Sequence, residues 1–112
     1  MDRAFFFIFA AFVAFSPGAS GQAAAGSIAG RVFDESGAVF PGAAVELSQP
    51  GTGFRKSTLT AGDGAYRFED LIEGTYALRV LGIGFSIVRQ EVTLAPGASQ
   101  RIDVTLKLEA IA

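Results

Sequence analysis

Any reaction chemistry in this chain has to come from carboxylates. Asp34, Asp63, Glu69, Asp70 and Glu73 sit at or beside Gly- or Pro-containing breaks, so loops at one end of a folded body could gather two or three of them. Such a group could ligate calcium through oxygen. It could also supply an acid and a base if one carboxyl were buried or set beside a like charge. The simpler reading is that they are solvated turn residues bonding their own backbone. The chain has no cysteine and no histidine, which removes thiolate and imidazole nucleophiles, the Ser–His pair and ordinary zinc or haem ligation. No catalytic residue, metal ligand or cofactor is assigned, and the chain reads as non-enzymatic.

Aromatic rings are the second candidates. Tyr66, Phe68, Tyr76 and Phe85 fall on apolar faces and belong to a core. Phe40 and Phe54 lie in loop-like stretches beside Pro41 and Gly53, where they could form an exposed patch for a protein partner or a glycan. Tryptophan, the strongest sugar-stacking side chain, is absent. Gly82 and Gly84 flank Ile83 without a following Lys or helix, so they read as a turn or bulge rather than a phosphate loop.

The elements that must position these residues are strands. The 112-residue length suits one domain, and half-hydrophobic composition with 18% charged residues excludes a disordered chain. Net charge is −2 with no basic stripe, so no nucleic-acid partner is expected. Residues Ala4 to Phe15 form an unbroken apolar run that is too short to span a bilayer as a helix but matches a secretion signal. Ser16-Pro17-Gly18 and a run of small residues follow, so residues 1–25 are read as a signal-peptide helix, with an uncleaved N-terminal membrane anchor as the competing reading, and residues 26–112 as the domain. No other membrane span is expected.

From Gly26 onward, turn residues punctuate segments of five to ten residues, and apolar and polar side chains alternate within them. Tyr76, Leu78 and Val80 oppose Ala77 and Arg79; Ile102, Val104, Leu106 and Leu108 oppose Arg101, Asp103, Thr105 and Lys107. The pattern predicts strands over Gly26–Phe33, Ala43–Ser48, Arg55–Thr60, Ala65–Glu69, Gly74–Leu81, Phe85–Leu94 and Gln100–Leu108. That is an all-β, seven-stranded β-sandwich of Greek-key type. Asp63-Gly64 reads as a hairpin turn, with glycine accepting positive φ, and Gly74 as a sharp entry to the strand carrying Tyr76. Arg79, Arg89, Arg101 and Lys107 point outward and keep the sheet edges soluble.

The ordered set Gly30-x-Val32-x-Asp34-x-x-Gly37, Pro41-Gly42-Ala43-x-Val45-x-Leu47, Thr60-x-x-Asp63-Gly64-x-Tyr66-x-Phe68-x-x-Leu71-x-x-Gly74-x-Tyr76-x-Leu78-x-Val80 and Gly84-Phe85 resembles the carboxypeptidase regulatory-like domain. The resemblance implies a transthyretin-like sandwich close to the starch-binding-domain-like fold. It also implies residence beside metallocarboxypeptidase domains, in bacterial surface proteins, or at the N-terminus of TonB-dependent outer-membrane receptors. The related pattern often carries an acidic residue just after the Thr; Ala61 stands there, which weakens the calcium reading. The chain stops where such a receptor would enter its linker, so it is expected to be either a stand-alone domain or the front of a receptor.

The expected function is that of an exported structural or protein-interaction module of the bacterial envelope, periplasmic or outer-membrane associated. Its partner would be another envelope protein or an adjoining receptor barrel. The alternative is a weak carbohydrate-binding module, suggested only by fold analogy. Tyr76→Ala is expected to cost about 3–5 kcal/mol through a core cavity, measured by chemical denaturation; an unchanged midpoint would remove Tyr76 from the core.

Overall fold

The computed structural model describes residues 24–109, so the predicted signal segment lies almost wholly outside the described residues. Alternation becomes eight strands: β1 (Gly26–Asp34), β2 (Ala44–Gln49), β3 (Phe54–Leu59), β4 (Ala65–Leu71), β5 (Gly74–Leu81), β6 (Val88–Leu94), β7 (Ser99–Arg101) and β8 (Val104–Leu106). No helix occurs among the described residues. One sheet runs β3-β2-β5-β6, and the other has β1 between β4 and the β7–β8 pair. The two sheets close on a single core. Ile28 and Val32 of β1, Val45 and Leu47 of β2, Leu78 of β5 and Leu106 of β8 are each at most 1% exposed. Every one of these sits at the apolar parity of its strand, which removes that face from water.

The predicted last strand is two strands, and a side chain divides them. β7 and β8 both pair parallel to β1 with one continuous register, Ala29 beside Arg101 and Val32 beside Val104. At the intervening step Ile102 N–H donates to Ala29 O at 2.8 Å, but the Ile102 carbonyl accepts the Tyr66 hydroxyl at 2.6 Å. The Arg31 N–H turns instead to Asp103 Oδ1 at 2.9 Å. The ladder is thus interrupted by side-chain bonds without losing its alignment. Gly30 permits the approach, since a Cβ there would lie 1.8 Å from the Ile102 oxygen. Leu108, placed by alternation on the core face, is past the end of β8 and 67% exposed. β6 starts at Val88 rather than Phe85, which makes only an isolated bridge to Leu108.

One further boundary and one turn differ for local reasons. β4 continues past Glu69 to Leu71 through a bulge: Ile28 faces Phe68 but Gly26 faces Leu71. Asp70 is the inserted residue, with φ of +57°, a conformation that Asp tolerates better than most. The bulge returns Leu71 to the core side, where it is 1% exposed. The Asp63–Gly64 turn closes tightly, with Gly64 N–H on Ala61 O at 2.8 Å and Ala61 N–H on Ala65 O at 2.9 Å. It is not a hairpin within one sheet, however, because β3 and β4 belong to opposite sheets. The chain crosses the sandwich there.

A β-branched side chain should fit poorly at the bulge. Asp70→Val is expected to cost about 1–2 kcal/mol in urea denaturation, whereas Asp70→Gly should leave the midpoint near wild type. Equal midpoints for the two variants would show that the left-handed backbone at residue 70 carries no strain.

Candidate interaction surface

The five candidate carboxylates are not brought together. β4 runs antiparallel to β1, with Ala65 opposite Arg31 and Leu71 opposite Gly26. Asp34 and Asp63 therefore lie at one end of the sandwich, while Asp70 and Glu73 lie at the other. Asp34, Asp63 and Glu69 are occupied locally. Asp34 Oδ1 accepts the Ser36 hydroxyl and the Ser36 and Ala38 N–H groups, and the Ser36 hydroxyl foremost holds its carboxyl below the usual range. Asp63 Oδ1 accepts the Ala65 N–H at 3.0 Å and its other oxygen faces Arg31 at 3.7 Å. Glu69 pairs with Arg67. Among the described residues, no three His, Cys, Asp or Glu side chains come together as metal ligands would.

Phe40 and Phe54 are half-buried against the core. Phe40 meets Phe85 edge to face at 4.9 Å, and Phe54 meets Tyr76 at 5.6 Å. Phe54 opens β3 opposite Gln49, while Phe40 precedes the other end of the six-residue β2, so about 17 Å of strand separates the two. They form no common patch. The predicted turn glycines have φ of +79° at Gly64 and +145° at Gly74, and Gly74 leads into β5 from the opposite sheet.

What the fold does assemble is an apolar end. The loops 34–40 and 82–87 and the tail after β8 are tied together: Glu109 N–H donates to Gly84 O at 3.0 Å, and Ser86 N–H to Lys107 O at 2.8 Å. Phe85 and Phe40 fill the space beneath. Above them Ile83 is 101% exposed, with Leu108, Ile87 and Val39 also exposed. These residues escaped the sequence reading because alternation assigns Leu108 to the core and is silent for loops. The only signal was Ile83, an isoleucine between two glycines with no strand to bury it. Thr60 was missed as well. Its hydroxyl donates to Phe40 O at 2.6 Å and accepts the Ala43 N–H at 2.9 Å, holding the loop that carries Phe40.

A packed sandwich with turn-bound carboxylates and an exposed apolar end defines a non-catalytic β-sandwich module. The carboxypeptidase regulatory-like domain matches residues 27–107, and the chain belongs to that family, which is non-catalytic. No curated protein matches the sequence. Among solved structures, an Acinetobacter catechol 1,2-dioxygenase aligns with a TM-score of 0.68 at 14% identity, over 84% of this chain and 56% of that one. A minor pilin of Streptococcus agalactiae aligns at 0.66 and 17% identity, over 80% and 47%. The Bacillus anthracis TIE protein aligns at 0.61 and 21% identity, over 76% and 17%. The chain thus spans about half of the dioxygenase or less of these proteins, and at such identities the likeness is one of fold alone.

Burial, and next the charge of Asp103, pushes the Tyr66 hydroxyl up to about 12. An unfolded tyrosine ionises near 10, so the unfolded chain releases this proton first as pH rises. Stability from Tyr66 is therefore full below pH 10 and should fall by about 1.4 kcal/mol per pH unit between pH 10 and 12. Tyr66→Phe should flatten that slope and cost about 1–3 kcal/mol at neutral pH by orphaning the Ile102 carbonyl. Denaturation midpoints across that range decide the matter; a slope unchanged in the variant would discharge Tyr66.

Proposed function

We propose that this protein is an exported module of the bacterial envelope that serves a structural or protein-interaction role as the N-terminal domain of a TonB-dependent outer-membrane receptor. The observation that carries the reading is the apolar end: Ile83, Ile87, Leu108 and Val39 are exposed beside the packed rings of Phe40 and Phe85 and loops bonded to one another. Exposed aliphatics gathered around the point where β8 ends are suited to packing against a neighbouring protein body. Export is supported by the apolar run Ala4 to Phe15 and the small residues after it. Among the described residues no helix is long and apolar enough to cross a membrane. The half-buried, separated rings of Phe40 and Phe54 offer the glycan reading no platform.

The chain's lack of cysteine permits a direct test. Single-cysteine variants Ile83→Cys and Glu69→Cys, expressed as the full chain in a bacterial host of the receptor type, are treated with a thiol-directed photo-cross-linker. The reading expects envelope-fraction adducts from position 83 and few or none from position 69. Equal adducts from both, adducts from neither, or a protein confined to the cytoplasm would defeat it.

A further inference from the structure

We infer that the outer face of the four-stranded sheet holds a binding site for an extended acidic segment of a partner protein, centred on Arg79 and Arg89. The inference rests on reading the domain as an interaction module, but it uses a surface separate from the Ile83–Leu108 end. Arg79 of β5 and Arg89 of β6 are directly opposed across the ladder. Two guanidiniums face to face on a sheet are mutually unfavourable, and the protein compensates only one of them. Arg79 Nη1 lies 2.8 Å from Glu46, whose other oxygen is already 3.6 Å from Arg55. Arg89 makes no ion pair among the described residues, and Arg79 Nε is buried with no hydrogen-bond partner in the protein. Arg55 and Arg79 thus share Glu46, while Arg89 faces Arg79 with Glu91 two residues along its own strand. A second carboxylate, set between Arg79 and Arg89, would meet donors from both once Arg79 turns outward.

The surroundings specify what carries that carboxylate. On one side of the arginine pair is a shallow depression of about 350 Å³ over Ala77 and Thr75, rimmed by Pro50. On the other side Leu59, Ala44 and Leu81 lie in register across three strands. The same-face residues Ala77, Arg79 and Leu81 are spaced by two along β5, about 6.6 Å each, the interval between alternate side chains of an extended chain. The fit is apolar-x-Glu-x-apolar: the carboxylate on the arginines, one apolar side chain over Ala77 and one against Leu81. Glu91, opposite Ala77, borders the depression and directs an incoming carboxylate away from it, toward the arginine row.

The test is an NMR titration of the isotope-labelled protein with acetyl-Leu-Ser-Glu-Ser-Leu-amide, its Gln counterpart and sodium acetate. The Glu peptide should shift the Arg79 and Arg89 side-chain signals and the Ala77 and Leu81 amides, with the Gln peptide weaker by about tenfold. Arg89→Ser, at an exposed edge position, should weaken the Glu peptide by a similar factor, and Ile83→Asp should leave it unchanged. That last variant separates this site from the apolar end, so each can fail alone. No shift at about 5 mM peptide, equal binding of the Glu and Gln peptides, or an acetate response matching the peptide's would overturn the inference.

Discussion

The sandwich depends on one close contact between backbones. Gly30 in the middle of β1 lets the Ile102 peptide come nearer than any side chain would allow, and the buried Tyr66 hydroxyl fixes that peptide by its carbonyl. Three strands of one sheet meet at this point: β1 supplies the space, β4 the hydroxyl, and the β7–β8 segment the carbonyl. A buried carbonyl without a donor is costly, whereas one that accepts from a neutral phenol is not. The same contact places Asp103 where its carboxylate substitutes for a missing ladder acceptor. First and last strands are thereby aligned in one register, and the two inner faces can close.

That alignment is what leaves the surfaces free to differ. The core takes the apolar side of every strand, so the outward side can vary without consequence for folding. On the smaller sheet, Arg67 and Arg101 each pair with an acid two residues on, a self-neutralising pattern. On the larger sheet, Arg79 and Arg89 face each other and leave charge unspent. At the end where β8 finishes, Ile83 is exposed beside loops bonded to one another. A non-catalytic module acts through such differences between faces.

Much of this was legible in the residues. Period-two patterning located the core side of β4, β5 and β8, because burial of one face is what keeps alternation strict along a strand. It erred where a hydrogen bond or a bulge, rather than burial, set the geometry. The Asp70 bulge is invisible to a count of apolar positions, although Leu71 falling out of step with Phe68 is its trace. The break at Ile102–Asp103 could not be read, because both residues keep perfect parity while their backbone bonds are redirected by Tyr66 and Arg31. The placing of the carboxylates was harder to read: Asp63 precedes β4 and Glu73 follows it, so the length of that strand keeps them at opposite ends.

The parallel pairing of β1 with β7 and β8 has a mechanical consequence. The chain enters this sheet at Gly26 and leaves it at Leu106, beside Asp34, so the two points of attachment sit at opposite poles of the body. Tension applied along the polypeptide would load the hydrogen bonds between these strands sideways and all at once, as shear, instead of peeling them one by one. A strand pairing so wired, about 27 Å long, opposes such a pull with its whole hydrogen-bond ladder rather than with one bond at a time.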